Sequence, residues 1–128
     1  MVNKEQVRAR NALAALNRLS TKNYKGESGG DILTGFPALI VNNGILATIA
    51  YCLSKSERGK KSGHELICDE ISQHLADPDI NCLVLLQKNK EPDTQSLLDF
   101  LVNSNSDKLR LCTSEALAYL NFLRRFAK

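Results

Sequence analysis

The sequence predicts an all-α protein, a compact bundle of about five to six helices that forms one domain over residues 1–128. Leucine and alanine dominate its apolar residues, while aromatic residues are few, with no Trp, three Tyr and four Phe. This composition suits helices more than sheets. Apolar residues also recur at helical spacing in several segments, whereas only one short run has the composition of a buried strand. A single strand would lack a partner, so we expect no sheet.

The first helix is predicted from about Asn3 to Thr21. Residues at i, i+3, i+4 and i+7 form its apolar stripe, which consists of Ala9, Ala12, Leu13, Leu16 and Leu19. Basic residues share a different arc, roughly 80° wide at about 100° per residue. This arc, called the helix-1 ridge below, consists of Lys4, Arg8, Arg18 and Lys22.

Residues 23–30 contain three glycines and predict a loop, after which Asp31 is a candidate N-cap. Residues 32–54 carry no charge, and this length raises the question of a membrane span. Pro37 and several polar residues within the run favour a buried pair of helices instead, broken at Asn42-Asn43-Gly44. We therefore expect no membrane association. A basic loop, Ser56 to Gly63, follows the second helix of the pair.

Three more helices and one ambiguous run complete the chain. An amphipathic helix is predicted from His64 to Ala76, with its acidic residues and Gln73 facing outward; the acidic residues are Glu65, Asp69 and Glu70. Ile80 to Gln87 has the composition of a buried strand, but we favour a short helix because no partner strand exists. A further helix runs from Pro92 to Val102, and the last from Asp107 to the chain end.

The four cysteines are Cys52, Cys68, Cys82 and Cys112, and none of them forms a Cys-x-x-Cys pair. This spacing indicates reduced, buried thiols in a cytoplasmic protein. His64 and Cys68 lie four residues apart on a helix and could touch one metal ion, but two ligands do not make a site. We expect neither a metal nor a cofactor.

Charge is distributed unevenly although the net charge is only +3. The two ends of the chain are basic and residues 65–99 are acidic, which suggests a polyanion on one side and a basic protein surface on another. Two basic clusters accompany the helix-1 ridge: a basic loop with Lys55, Arg58, Lys60 and Lys61, and a C-terminal arc that includes Arg124 and Arg125. Contact with a phosphate backbone needs only such cations along a path. We predict that these three clusters contact nucleic acid.

No catalytic motif of the nucleotide-binding or serine-hydrolase type is present. Arg58 and His64 fit the Arg-x(4–6)-His pattern of HEPN ribonucleases, although Gly59 stands where that family usually has a polar residue. There the His would serve as general acid or base, and the Arg would stabilise charge at the scissile phosphate. We expect a protein that is not an enzyme. Two alternatives stay open: this metal-independent ribonuclease, and a protein-interaction bundle that never contacts RNA.

Two segments resemble the small helical subunit of the Cmr effector complex, the type III-B CRISPR system that targets RNA. Residues 36–50 (FPALIVNNGILATIA) are similar to that family's Leu-Pro-Ala-Leu-Ile, polar pair, Gly and apolar helix with Thr. Residues 115–127 (EALAYLNFLRRFA) are similar to its closing helix, which ends in a basic pair, Phe and Ala. The chain departs from the family pattern at Phe122, where Trp is frequent, and at Gly35-Phe36, where Leu is usual before Pro.

The resemblance implies an all-helical, non-catalytic subunit that scaffolds a complex active in antiviral defence. Its partners would be the large subunit and the backbone subunits of that complex, with the guide RNA and the target RNA, and it could associate with further copies of itself. Cleavage of RNA belongs to the backbone subunits in this family. No cofactor is implied.

Overall fold

The computed structural model describes residues 2–22, 24, 32–84 and 91–127. This part of the chain contains six α-helices and no sheet, so the predicted all-α bundle is confirmed. In chain order they are α1 (Lys4–Leu19), α2 (Ile32–Asn43), α3 (Ile45–Ser54), α4 (Gly63–Ala76), α5 (Thr94–Val102) and α6 (Ser106–Phe126). The proposed N-cap Asp31 and nearly all of the glycine-containing loop lie outside the described residues.

Helix α6 is central to the packing. It contacts α1, α2 and α4, and its buried face includes Tyr119, Leu120 and Leu123. The other helices each contribute buried apolar residues to the same core cluster. The wide apolar face that the sequence shows on the last helix is explained by these several neighbours. None of the helices in the described residues combines the length and apolar character needed to span a bilayer.

Helix α1 packs through a face that differs from the predicted stripe. Val7, Ala12, Ala15 and Leu19 are buried, whereas Leu13 is 53% exposed, so its assignment to the buried stripe was wrong. The two small alanines carry no bulk beyond Cβ, and this allows α1 to lie close against its neighbours. The same close packing brings basic side chains of α1 next to carboxylates on α4 and α6.

The predicted break between α2 and α3 is confirmed at Gly44. Its φ of 85° lies in the left-handed half of backbone space, which glycine reaches without steric cost. Thr48 joins the two helices, because its hydroxyl lies 2.8 Å from the Gly44 carbonyl oxygen and 3.0 Å from that of Leu39. The Thr48 hydroxyl is therefore buried without leaving its hydrogen-bonding capacity unsatisfied.

Helix α4 begins where Ser62 caps it by accepting a hydrogen bond from the backbone N–H of Glu65. Gly63 is required at this point, since a Cβ there would lie 2.6 Å from the carbonyl oxygen of Tyr24. The sequence-based assignment of Glu70 to the outer face of this helix was wrong. Glu70 is buried, and its direct ion pair with Arg18 of α1 offsets the cost of burying the carboxylate.

The short helix expected from Ile80 is also wrong over the described residues 80–84. Asn81 takes a positive φ of 56°, and the backbone N–H groups of Cys82 and Leu83 both donate to the carbonyl oxygen of Leu75. The chain thus folds back over the end of α4. Ile80, Cys82 and Leu83 are buried by this return without forming a helix or a strand. The remainder of the predicted element lies outside the described residues.

Candidate nucleic-acid interface

Two cations of the helix-1 ridge, Arg8 and Arg18, are paired with carboxylates, although Arg18 remains 44% exposed. Arg8 donates to both carboxylate oxygens of Glu115, from Nε and from Nη2, each over 2.7 Å. Arg18 likewise uses Nε and Nη2 on Glu70, with a shortest distance of 2.6 Å. Lys4 and Lys22 are exposed at the two ends of the ridge. Two of the four predicted phosphate ligands therefore have their guanidinium groups committed to carboxylates.

The Arg8–Glu115 pair belongs to a longer buried network. Glu115 Oε2 lies 2.9 Å from His74 Nε2, and the Asn11 amide nitrogen lies 2.9 Å from His74 Nδ1 and 3.0 Å from Asp77 Oδ2. An amide nitrogen can only donate, so Nδ1 must accept and Nε2–H must donate to Glu115. His74 is consequently the neutral Nε2–H tautomer, stacked on the Tyr119 ring at a centroid distance of 4.2 Å.

Titration in this network follows from burial and pairing. Burial lowers the pKa of His74 below its ordinary value, and its hydrogen bond to Glu115 only partly opposes that shift. Burial tends to raise the pKa of Glu115, but hydrogen bonds from Arg8 and His74 outweigh it and the pKa is lowered. The hydrogen bonds that Arg8 donates to Glu115 raise the pKa of Arg8, and those that Arg18 donates to Glu70 raise the pKa of Arg18. The charges of Arg8 and Glu115, and those of Arg18 and Glu70, are therefore matched within each pair.

The basic loop is an ordered turn between α3 and α4. Glu57 and Lys60 exchange two backbone hydrogen bonds, of 3.1 and 2.9 Å, and Gly59 turns the chain with a φ of 77°. Arg58 and Lys60 are exposed on this turn. The two exposed cations thus extend from a turn whose backbone conformation is held by hydrogen bonds.

The flanking lysines of the basic loop have local contacts. Lys55 Nζ lies 5.1 Å from the centroid of the Tyr51 ring, within reach of a cation–π contact. Lys61 Nζ lies 2.7 Å from Asp69 Oδ2, and this hydrogen bond raises its pKa. Lys61 is therefore the third predicted phosphate ligand whose charge is already paired, although its side chain remains about half exposed.

The C-terminal arc ends α6 with Arg124 and Arg125, both exposed in the last turn. Arg125 Nε donates to Asn121 Oδ1 over 3.3 Å, a contact that leaves most of its donors available. Cations in the last turn also complement the negative end of the helix dipole, which accounts for part of their placement without any ligand.

Arg58 and His64 are not joined by a hydrogen bond or ion pair within the described part of the chain. The His64 ring packs edge-on against Tyr51, with centroids 5.2 Å apart, and lies 6.3 Å from Phe36. Burial, with a smaller effect of Lys55, lowers its pKa. The His64 ring thus belongs to a partly buried aromatic contact at the start of α4. Arg58, in contrast, is exposed on the turn between α3 and α4.

An open apolar groove of about 510 Å³ lies between α3 and α6. Ile45 and Leu46 form one wall, and Leu109 and Leu117 form the other. Elsewhere Val41, Leu111 and Val102 are large exposed apolar side chains. Among the described residues no three His, Cys, Asp or Glu side chains group as a metal site.

The buried ion pairs were missed from the sequence because Glu115 lies 107 residues from Arg8 and Glu70 lies 52 residues from Arg18. One sequence signal existed: Glu115 interrupts the apolar face of the last helix. A charged residue in such a position is usually paired when buried.

Comparison with known protein families shows that residues 4–128 match the family described as CRISPR-associated protein (Cas_Cmr5). No solved structure matches the chain. The match covers both segments that carry the resemblance to the Cmr small subunit and nearly all of the sequence between and around them. This chain is therefore a member of the Cas_Cmr5 family of CRISPR-associated proteins.

Proposed function

We propose that the protein is the non-catalytic small subunit of a type III-B CRISPR (Cmr) effector complex, which silences RNA under the direction of a guide RNA in antiviral defence. In this role it acts in the cytoplasm as a scaffold beside the large subunit and the backbone subunits, with possible association between copies. It contacts guide and target RNA through their phosphate backbones. Membership of the Cas_Cmr5 family supports the complex, and the exposed cations support the contact with RNA.

The observation that carries the RNA contact is the basic loop. Arg58 and Lys60 are exposed on a turn whose backbone is held by two hydrogen bonds, so their side chains start from a fixed position. Fixed cations lose less conformational entropy on binding phosphate than cations on a freely moving loop. We propose these two residues as the principal phosphate contacts.

The other predicted contacts fall into two groups. Exposed cations that are available for phosphate are Lys4, Lys22, Lys55, Arg124 and Arg125. Arg8, Arg18 and Lys61 already pair with carboxylates, and an RNA phosphate would have to compete with those partners. We therefore propose that these three residues contribute positive potential to the surface rather than direct phosphate contacts.

The apolar groove between α3 and α6 suits the scaffolding part of the role. Interfaces between subunits are more apolar at their centre than at their rim, and Arg110 at the groove edge provides such a polar rim. We propose that a neighbouring subunit of the complex covers this groove.

The RNA contact is tested with the double variant Arg58→Ala/Lys60→Ala and a matched control, Arg10→Ala/Lys108→Ala, which removes the same charge elsewhere. Binding of a single-stranded RNA is measured by fluorescence anisotropy over a series of salt concentrations. Loss of two phosphate contacts should weaken binding and reduce the slope of log affinity against log salt by about 1.4. The control should leave that slope unchanged.

The same variants separate the proposal from its alternatives. Equal effects of both double variants would reject the basic loop as the RNA contact. Loss of co-purification with the other subunits, with RNA affinity intact, would favour a pure protein-interaction module. RNA cleavage without metal that disappears in His64→Ala would instead establish the ribonuclease.

A further inference from the structure

The chain has three tyrosines, and Tyr51 differs from the other two in its exposure. Tyr51 is 40% exposed, whereas Tyr24 is 9% exposed and Tyr119 is 0% exposed. Tyr51 lies on α3, close to the end of that helix. A tyrosine ring at the surface presents an apolar π face to which another planar group can bind. The Tyr51 ring is therefore available for contact with a ligand.

Two neighbours hold the Tyr51 ring in place. The His64 ring meets it almost at right angles, at 87°, with centroids 5.2 Å apart, and His64 itself packs against Phe36. Lys55 Nζ lies over the Tyr51 ring, 5.1 Å from its centroid. His64 is partly buried, whereas Lys55 is exposed and its long side chain is free to move aside. The histidine thus fixes the orientation of the ring, and the lysine covers it only loosely.

Hydrogen bonds fix the position of the Tyr51 ring relative to the basic loop. Ser62 Oγ donates to the carbonyl oxygen of Cys52, the residue after Tyr51, over 3.3 Å. Ser56 Oγ accepts from the backbone N–H of Ser62 over 3.0 Å and donates to Glu65 Oε1 over 2.5 Å. The two ends of the loop are thereby closed against the end of α3. The ring and the loop form one preorganised surface.

The charges of this surface favour an anion beside the ring. Arg58 and Lys60 are exposed on the turn of the loop. The carboxylates of Asp69 and Glu65, at the start of α4, are partly neutralised by Lys61, whose Nζ lies 2.7 Å from Asp69 Oδ2 and 4.0 Å from Glu65 Oε2. A phosphate can therefore approach the two exposed cations without strong repulsion from these acids.

We propose that Tyr51 forms a stacking subsite for one unpaired nucleobase of a single-stranded RNA, whose neighbouring phosphates contact Lys55 and the basic loop. This inference rests on the proposed function and adds contact with a base to the contact with phosphates. Proteins that bind single strands combine a basic surface with aromatic rings on which bases stack. Bases within a duplex are not free to do so, so the subsite favours a single strand.

Binding of the base exchanges one contact of Lys55 for another. The base takes the place of the Lys55 ammonium group over the Tyr51 ring, and the released ammonium group pairs with a phosphate of the same strand. The exchange is favourable, because base–aromatic stacking is stronger than a cation–π contact at an exposed site. His64 keeps its edge contact with Tyr51 throughout and holds the ring for the base.

The test compares two RNA ligands that carry the same phosphates: a decauridine and a decamer with the same backbone but no bases. Fluorescence anisotropy at one fixed salt concentration gives the affinity of the full-length protein for each. We expect the wild type to bind decauridine about tenfold more tightly than the abasic RNA. Tyr51→Leu should bring this ratio close to one, whereas Tyr51→Phe should retain it, because phenylalanine keeps the π face.

A matched control is Phe126→Leu, which removes an aromatic ring of similar exposure, 37%, beside Arg124 and Arg125. This variant should keep the preference for decauridine. Thermal unfolding of each variant checks that the fold is intact. A direct measurement on the wild type uses decauridine with one 4-thiouridine, which is cross-linked by light and mapped by mass spectrometry. We expect the cross-link at Tyr51, within the tryptic peptide of residues 26–55.

The outcomes separate this inference from the proposed phosphate contact. Arg58→Ala/Lys60→Ala should weaken binding of both RNAs and leave their ratio unchanged, and an unchanged affinity for both would refute the phosphate contact alone. Equal binding of the two RNAs by the wild type, or a preference that survives in Tyr51→Leu, would refute the stacking subsite alone. So would equal losses in Tyr51→Phe and Tyr51→Leu, or in Phe126→Leu and Tyr51→Leu. A wild type that binds neither RNA would refute both.

Discussion

Replacing Glu115 with alanine tests whether the buried network supports the fold. Glu115 is 5% exposed and accepts hydrogen bonds from Arg8 and from His74, whose side chain is 0% exposed. Without the carboxylate, His74 Nε2–H has no acceptor, which costs about 1–3 kcal/mol in a buried site. Arg8 is 25% exposed and can partly rehydrate, so the loss of its carboxylate partner adds less to the decrease in stability.

These contributions, with the small void left by the shorter side chain, predict a loss of about 3 kcal/mol in the free energy of unfolding. This value is a large fraction of the 5–15 kcal/mol typical of a domain. Urea unfolding followed by far-ultraviolet circular dichroism measures it, provided that the slope of the transition stays unchanged.

The matched control is Asp107→Ala, which removes a carboxylate from the same helix. Asp107 pairs with Arg110, but both side chains are largely exposed, so we expect a change within about 0.5 kcal/mol. A loss below about 1 kcal/mol for Glu115→Ala, or equal losses for the two variants, would show that the network does not stabilise the fold as described.

Two further predictions concern titration and the interhelical break. His74 has a folded-state pKa below its unfolded value near 6.5, so its contribution to stability is complete above that pH and is lost as the pH falls toward the folded value. His74→Gln should therefore flatten the dependence of the free energy of unfolding on pH below about 6.5. His64→Gln, at a partly buried ring that forms no ion pair with Arg58, should flatten it less. An unchanged profile for His74→Gln would contradict the assignment. Gly44→Ala should lower stability by about 1–3 kcal/mol because φ is 85° and ψ is 159°. Gly35→Ala, in open space within α2, should raise stability by about 0.5–1 kcal/mol. Thermal unfolding of both glycine variants measures these effects, and midpoints that shift in the same direction would refute this reasoning.

The helices could be predicted because their signals are local. Apolar periodicity and Pro92 place helix ends within two residues of those observed for α1, α4, α5 and α6. The Asn-Asn-Gly interruption places the break between α2 and α3. The capping residues Asn3, Ser62, Asp93 and Asn105 act within three residues of the groups they accept from, so sequence neighbours alone determine them.

The candidate interface was only partly predictable for the opposite reason. Whether a basic side chain faces solvent or a carboxylate depends on residues that are distant in the sequence. Arg8 and Arg58 look alike as exposed cations in a helical wheel or a loop, yet only Arg8 meets a buried partner. The predicted contacts of Arg58, Lys60, Arg124 and Arg125 with RNA stay predictions that the RNA-binding experiment addresses.

The sequence by itself determined the all-α class, the succession of helices and the two segments that identify the family, because each depends on neighbouring residues or on a contiguous pattern. Only the tertiary structure decided which face of α1 is buried and that Glu70 and Glu115 pair with Arg18 and Arg8. Those contacts arise when helices far apart in the chain pack together, and packing is decided by the shape and charge of whole surfaces.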